Sequence, residues 1–213
     1  MSDDQEIKDK IIITALKNIN FDGWNKDTIL EGFISNKIKV EDYELLFPNG
    51  IVDTIIHFAD MSDRLMIKEF KRTDNSELRT PEKIKKLLIY RFKILNPYKE
   101  AVRKSIAILA LPKNSKFALN ALYKTTDEIW RAVGDRSTDF SFYTKRASLA
   151  SVYSTTKMSW LGSLDPDLSK VEEFIDRRLK NLKLLGSITK PLKENLNKPF
   201  KILNDFPFFN FNR

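Results

Sequence analysis

His57 is the only histidine in the chain, and there is no cysteine. Thiolate nucleophiles, disulfides and metal centres built on Cys or His therefore have almost nothing to draw on. A di-iron carboxylate site would need Glu-x-x-His pairs, and the sequence has none. No Gly-rich phosphate loop occurs either. His57 stands beside Phe58 and reads as a core or helix-surface residue rather than a catalyst. What remains is binding chemistry, so the expectation is a non-enzyme without cofactor or metal. A small lipid-metabolising enzyme would need a buried polar cluster and is the weaker reading.

The residues suited to binding fall in two groups. Leu119, Leu122, Trp130, Phe142, Tyr143, Leu149 and Tyr153 are apolar or aromatic, with a few polar tips. They suit either a lipid cavity between helices or an ordinary close-packed core. The second group lies in the C-terminal stretch. Ile188, Leu192, Leu196, Phe200, Leu203 and Phe206 recur every three or four residues, while Lys190, Lys193, Lys198 and Lys201 punctuate them. Basic residues opposite an apolar stripe form the pattern of a helix lying in a membrane interface. A helix folded back on the body is the other reading, and Pro199 predicts a kink. Lys145-Arg146 could clamp a phosphate, but Asp135 and Asp139 nearby favour ion pairing.

The elements that must position these residues read as helical almost throughout. The chain has only six glycines and no alternating strand pattern. Helices are predicted at 7–19, 27–36, 40–47, 51–72, 81–95, 97–110, 114–133, 139–161 and 168–185. Thr80-Pro81 and Asn96-Pro97 read as capping side chains followed by Pro at the first helical position. Ile55, Phe58, Leu65 and Ile67 are the packing candidates of the long fourth helix. The layout is a head over 1–60 with a helix-turn-helix, a helical body over 61–185, and an amphipathic tail over 186–213. The longest near-apolar run, 106–111, falls far short of the ~20 residues a membrane span needs. The acidic N-terminus is neither a signal nor a transit peptide, which favours a bacterial cytosol with attachment at the inner membrane; a mature fragment from the mitochondrial matrix side would look the same.

Charge argues against DNA. Residues 1–60 hold twelve acids against six bases, whereas the rest of the chain holds seventeen acids against thirty-one bases. From Trp24 to Asp60 there are three bases and seven acids, and phosphate neutralisation demands the reverse. A helix-turn-helix that no longer reads DNA is expected, with a ligand-responsive regulator of the TetR type as the alternative.

Several strings are more specific than this layout. "FDGW" (21–24), "LLFPNGIVD" (45–53), "TDEIWRAVGDRSTDFSFYTKRASLASVYSTT" (126–156) and "EEFIDRRL" (172–179) resemble the Coq-nine family, accessory lipid-binding proteins of ubiquinone biosynthesis. The resemblance implies an all-α, TetR-like fold, a homodimer, and a pocket for an isoprenoid quinone intermediate or another lipid. It also implies a membrane-touching C-terminal helix and delivery of the intermediate to a ring hydroxylase. Trp160, Asp165, Glu172 and Asp176 are then candidates for docking that hydroxylase, although a solvated charged face explains them equally.

Overall fold

A computed structural model describes residues 3–163 and 168–188, with side chains described as far as 180. All regular structure among them is helical. In chain order the helices are α1 (Asp3–Asp22), α2 (Lys26–Ser35), α3 (Tyr43–Leu46), α4 (Ile51–Lys71), α5 (Thr80–Leu95), α6 (Lys99–Leu109), α7 (Ser115–Ala132), α8 (Phe140–Gly162) and α9 (Ser169–Ile188). Short 3₁₀ turns at Val40–Asp42, Asn96–Tyr98 and Pro112–Asn114 lead into α3, α6 and α7.

The head forms because α1 and α2 can approach closely. At Gly32 a Cβ would lie 2.6 Å from the backbone oxygen of Ile11, so only glycine fits this crossing. Around it Ile11, Ile12, Leu16, Ile29, Phe33 and Phe47 are fully buried. The predicted third helix divides into a 3₁₀ turn and a single α-turn, because Phe47 and the Pro48-Asn49-Gly50 corner end it early. Gly50 takes φ +61°, and the Asp53 carboxylate accepts hydrogen bonds from the backbone amide of Asn49 at 2.7 Å and from its side-chain amide. One of the seven acids from Trp24 to Asp60 is therefore a turn brace.

α4 carries the head into the body. Its buried stripe, Ile55, Phe58, Met61, Ser62, Met66 and Phe70, keeps helical spacing. Leu65 corrects the expected packing set: it turns away from this stripe and is 39 % exposed. The cluster of buried apolar residues runs from Ile11 through Phe58 to Leu149, Trp160 and Ile175, so head and body share one core. The Trp24 indole ties them further, donating to the Ala101 carbonyl at 2.8 Å.

Two predicted caps are also corrected. Thr80 lies inside α5, whose start is braced by Glu82 accepting from the Arg79 amide at 2.8 Å. Asn96-Pro97 forms a 3₁₀ turn, and the Asn96 side chain accepts from the Trp160 indole at 3.1 Å instead of capping. In both cases a side-chain partner outside the Pro motif takes over the local bonding.

Candidate ligand-binding pocket

α4 to α8 line a half-open cavity of about 250 Å³. Its apolar wall comes from Ile55 and Phe58 on α4, Leu95 on α5, Val102, Ile106 and Leu109 on α6, and Leu122 on α7. Space remains because α7 presents Ala118 and Ala121 there, and α6 presents Ser105. Small side chains on facing helices leave a void where larger ones would interlock.

The floor is polar and buried. Arg91 (3 % exposed) donates through Nη1 to the Asp63 carboxylate and through Nε to the Tyr153 hydroxyl oxygen at 2.7 Å. Thr125 donates to the second Asp63 oxygen at 2.9 Å. Burial opposes the Arg91 charge, but Asp63 and Tyr153 more than offset it and raise the guanidinium above its ordinary range. Burial lifts the Asp63 carboxyl, with Arg91 and Thr125 pulling it down. A carboxylate accepting from a permanently charged guanidinium and a hydroxyl remains ionised at neutral pH, so the pair is charge-neutral as a unit. Burial would also raise the Tyr153 hydroxyl; Arg91 and Lys157 outweigh it and lower it. Lys157 sits at the cavity edge with Nζ 4.3 Å from the centroid of the Tyr153 ring.

The seven residues expected to bind lipid separate by position. Leu122 and Tyr153 line the cavity. Leu149 is buried in the core beyond it, while Leu119 and Tyr143 are about half exposed on the outside of the bundle. Trp130 and Phe142 are committed elsewhere. The Trp130 indole donates to the Lys145 carbonyl at 3.0 Å, and the Phe142 ring lies 3.4 Å beneath the Arg146 guanidinium.

That corner is a second buried ion cluster. Arg146 (4 % exposed) binds Asp127 at 2.6 Å and Asp135 at 3.3 Å, and Lys145 binds Asp135 at 2.6 Å. Burial works against ionised Asp135, but Lys145, Ser137 and Arg146 outweigh it and hold the carboxyl at about 2. Asp139 caps α8 by accepting from the Ser141 amide at 3.0 Å. The cations of "YTKR" thus staple the α7–α8 corner, the ion pairing expected of them.

The expected docking patch changes most at Trp160. This residue is 2 % exposed, wedged edge-on against Phe92, and cannot meet a partner from within the core. Glu172 and Asp176 are on the surface, but both bind Lys85 at 2.8 Å and fasten α9 to α5. Asp165 lies outside the described residues, as do Lys190, Leu192, Lys193, Leu196, Lys198, Phe200, Lys201, Leu203 and Phe206, together with the side chain of Ile188. No helix among the described residues is long and apolar enough to cross a membrane.

Sequence reading missed Asp63, Arg91, Thr125 and Lys157. A signal existed for Arg91: it sits on the apolar stripe Ile84, Leu87, Leu88, Phe92, Leu95, where a charge must have a buried partner.

Comparison with known proteins places this architecture. Residues 115–186, covering α7, α8 and nearly all of α9, match the COQ9 family model. The ubiquinone biosynthesis protein COQ9, mitochondrial, of Homo sapiens is 27 % identical over 197 residues, covering 89 % of this chain and 62 % of its own length. Two further COQ9 proteins are also similar to this chain. COQ9-A of Xenopus laevis is 29 % identical over 194 residues, 88 % of this chain and 61 % of that one. The probable coq9 protein of Dictyostelium discoideum is 26 % identical over 183 residues, 83 % of this chain and 60 % of that one. The chain thus spans about three fifths of the length of the COQ9 proteins it matches. In fold it is similar to a TetR transcriptional regulator from Nitrosomonas europaea ATCC 19718, with a TM-score of 0.66 at 17 % identity over 82 % of this chain and 97 % of that one. The fold is all-α and TetR-like. The COQ9 match includes Thr125, Tyr153 and Lys157, whereas Asp63 and Arg91 precede it.

Proposed function

We propose that this protein serves ubiquinone biosynthesis as a non-enzymatic accessory protein that binds an isoprenoid quinone intermediate, or another lipid, and presents it to a ring hydroxylase. The observation that carries the reading is the apolar cavity with a polar floor, found in a chain whose relatives are ubiquinone biosynthesis proteins. Such a pocket suits a ring with an apolar substituent. Its volume of about 250 Å³ is just below the ~300–1,000 Å³ of small-molecule sites, so it accommodates a head group and the first part of a tail, leaving a long tail to the mouth.

In this reading the protein works at a membrane surface as a homodimer. Residues 186–213, whose sequence pairs an apolar stripe with lysines, make the membrane contact. The compartment is the one in which the partner hydroxylase meets the bilayer.

Mass spectrometry of lipids carried through native purification tests the pocket; a quinone or other prenyl lipid at near-stoichiometric amounts is expected, and a lipid-free protein that also rejects added quinone refutes the reading. Liposome flotation of the full chain against a version ending at residue 185 tests the membrane contact. Equal flotation of both would refute it.

The TetR-like fold keeps a DNA-binding regulator as the second reading. Against it, Glu41 and Glu44 on the 3₁₀ turn and α3 are exposed, and Lys26 is drawn 3.8 Å from Glu44. Duplex binding at physiological salt, with the steep salt dependence of phosphate contacts, would reinstate the regulator.

A further inference from the structure

The pocket's charged lining is unbalanced. Two cations line the cavity, Arg91 and Lys157. Arg91 is neutralised by Asp63 beneath it. Lys157 has no carboxylate partner among the described residues; its ammonium group rests on the Tyr153 ring, 4.3 Å from the centroid.

Tyr153 supplies the complementary feature. It is 1 % exposed and lines the cavity, and its hydroxyl oxygen accepts from Arg91 Nε. The hydroxyl hydrogen has no acceptor among the described residues. A buried hydroxyl fixed as an acceptor by one neighbour still has a donor to use, and an unused buried donor is costly to leave unmade. Ser154, also on the lining, adds a second hydroxyl next to it.

We infer that Tyr153 and Lys157 form a head-group site for an amphiphile whose polar end is an oxyanion, the Tyr153 hydroxyl donating to the oxygen and the Lys157 ammonium balancing its charge. The inference deepens the lipid-pocket reading and rests on it. A neutral head would leave the ammonium without a counter-charge at the edge of an apolar wall, where a charge-assisted bond is worth most. Two sources provide this oxyanion: the carboxylate of a fatty acid, and the ring oxygen of a hydroxyquinone, which is a vinylogous acid and ionises at neutral pH.

The test uses matched pairs that differ only in charge. Oleate and methyl oleate form one pair; 2-hydroxy-1,4-benzoquinone bearing a decyl chain and its methyl ether form the other. Each competes for the pocket with a fluorescent apolar probe on the full, delipidated protein at neutral pH. The expected result is that the ionised member of at least one pair binds roughly tenfold more tightly than its neutral mate, the size of one charge-assisted hydrogen bond. Lys157→Gln, at a partly exposed position, removes that preference while sparing the neutral member. Tyr153→Phe weakens both members, and a melting curve reports whether that variant still folds; Lys157→Gln decides the question in either case.

Preference in the oleate pair alone assigns a carboxylate, and preference in the quinone pair alone assigns the ring oxygen. Equal affinity within both pairs, or a preference that survives Lys157→Gln, overturns the head-group site while leaving the lipid pocket standing. Failure of all four compounds to bind overturns the pocket itself, and the head-group site with it.

Discussion

Two buried arginines in this protein do different jobs with nearly the same chemistry. Arg146 binds Asp127 and Asp135 and is capped by the Phe142 ring, so every side of its guanidinium meets protein. Arg91 binds Asp63 and Tyr153, but its neighbours on the other side belong to a cavity. The first cluster is contiguous in sequence, drawn from residues 127–146, and closes one corner. The second gathers Asp63, Arg91, Thr125 and Tyr153 from four helices. A local cluster fixes a turn, whereas a long-range cluster is spent holding helices around a space. The distinctive string over 126–156 therefore carries the staple and also Tyr153, whereas Asp63, Arg91, Thr125 and Lys157 of the cavity lie outside it.

The largest effects are expected from breaking each cluster. Arg146→Met leaves Asp127 and Asp135 with only Arg131 and Lys145 as partners in a buried corner and should cost about 3 kcal/mol, the low end for a broken buried pair, read as a fall in melting temperature, with ligand affinity of the folded fraction unchanged. Arg91→Met should cost a similar amount by stranding Asp63, and should also weaken the ligand. If the folded Arg146→Met protein loses its ligand as well, the two clusters are not separable as described.

Filling the space is the next test. Ala121→Phe projects a ring into the cavity; about 1–3 kcal/mol of stability is expected to go, the ordinary range for overpacking, while probe uptake is abolished. Retained uptake would place the ligand elsewhere.

Acid titration sharpens the contrast through its sign. Asp135 is held at about 2 against an ordinary 3.8, so its contribution to stability is complete above about pH 4 and is lost as pH falls toward 2. Asp135→Asn should flatten that acid limb in unfolding experiments. Asp63, lifted by burial, gives no such loss on protonation, so the acid limb belongs to the staple and not to the pocket.

The smallest effect belongs to a third, less buried pairing. His57 shares the Asp9 carboxylate with Arg64, at 2.6 and 2.5 Å, linking α1 to α4. Burial lowers the His57 imidazole below 6.5 despite Asp9, so the unfolded chain binds a proton first, and stability falls as pH drops below about 6.5. His57→Gln should remove that slight slope between pH 7 and 5; an unchanged slope would assign it to another group.

How much of this was legible depended on the range of the interactions. Helical class, the helix over 51–72 with its packing residues Ile55 and Phe58, and the helix over 168–185 follow from local spacing, and they were legible. Thr80 and Asn96 misled because a capping motif states only what a side chain can do. Glu82 and the Trp160 indole decided what it did. Trp160 misled for the same reason: grouping it with the acids Asp165, Glu172 and Asp176 suggested a surface patch, but Phe92 and Asn96 close over it.

The sequence by itself determined that this is a helical chain with one histidine and no cysteine, an acidic head and a basic remainder. Those properties are sums over residues or patterns within one helical turn, and no fold is needed to evaluate them. Only the tertiary structure decided where the space lies and what faces it. Ala118, Ala121 and Ser105 make a cavity because their helices happen to oppose one another, and Asp63 can neutralise Arg91 only across α4 and α5. Burial, charge compensation and an unused hydroxyl donor are properties of neighbours in space, and the chain order of Asp63, Arg91, Tyr153 and Lys157 does not state them.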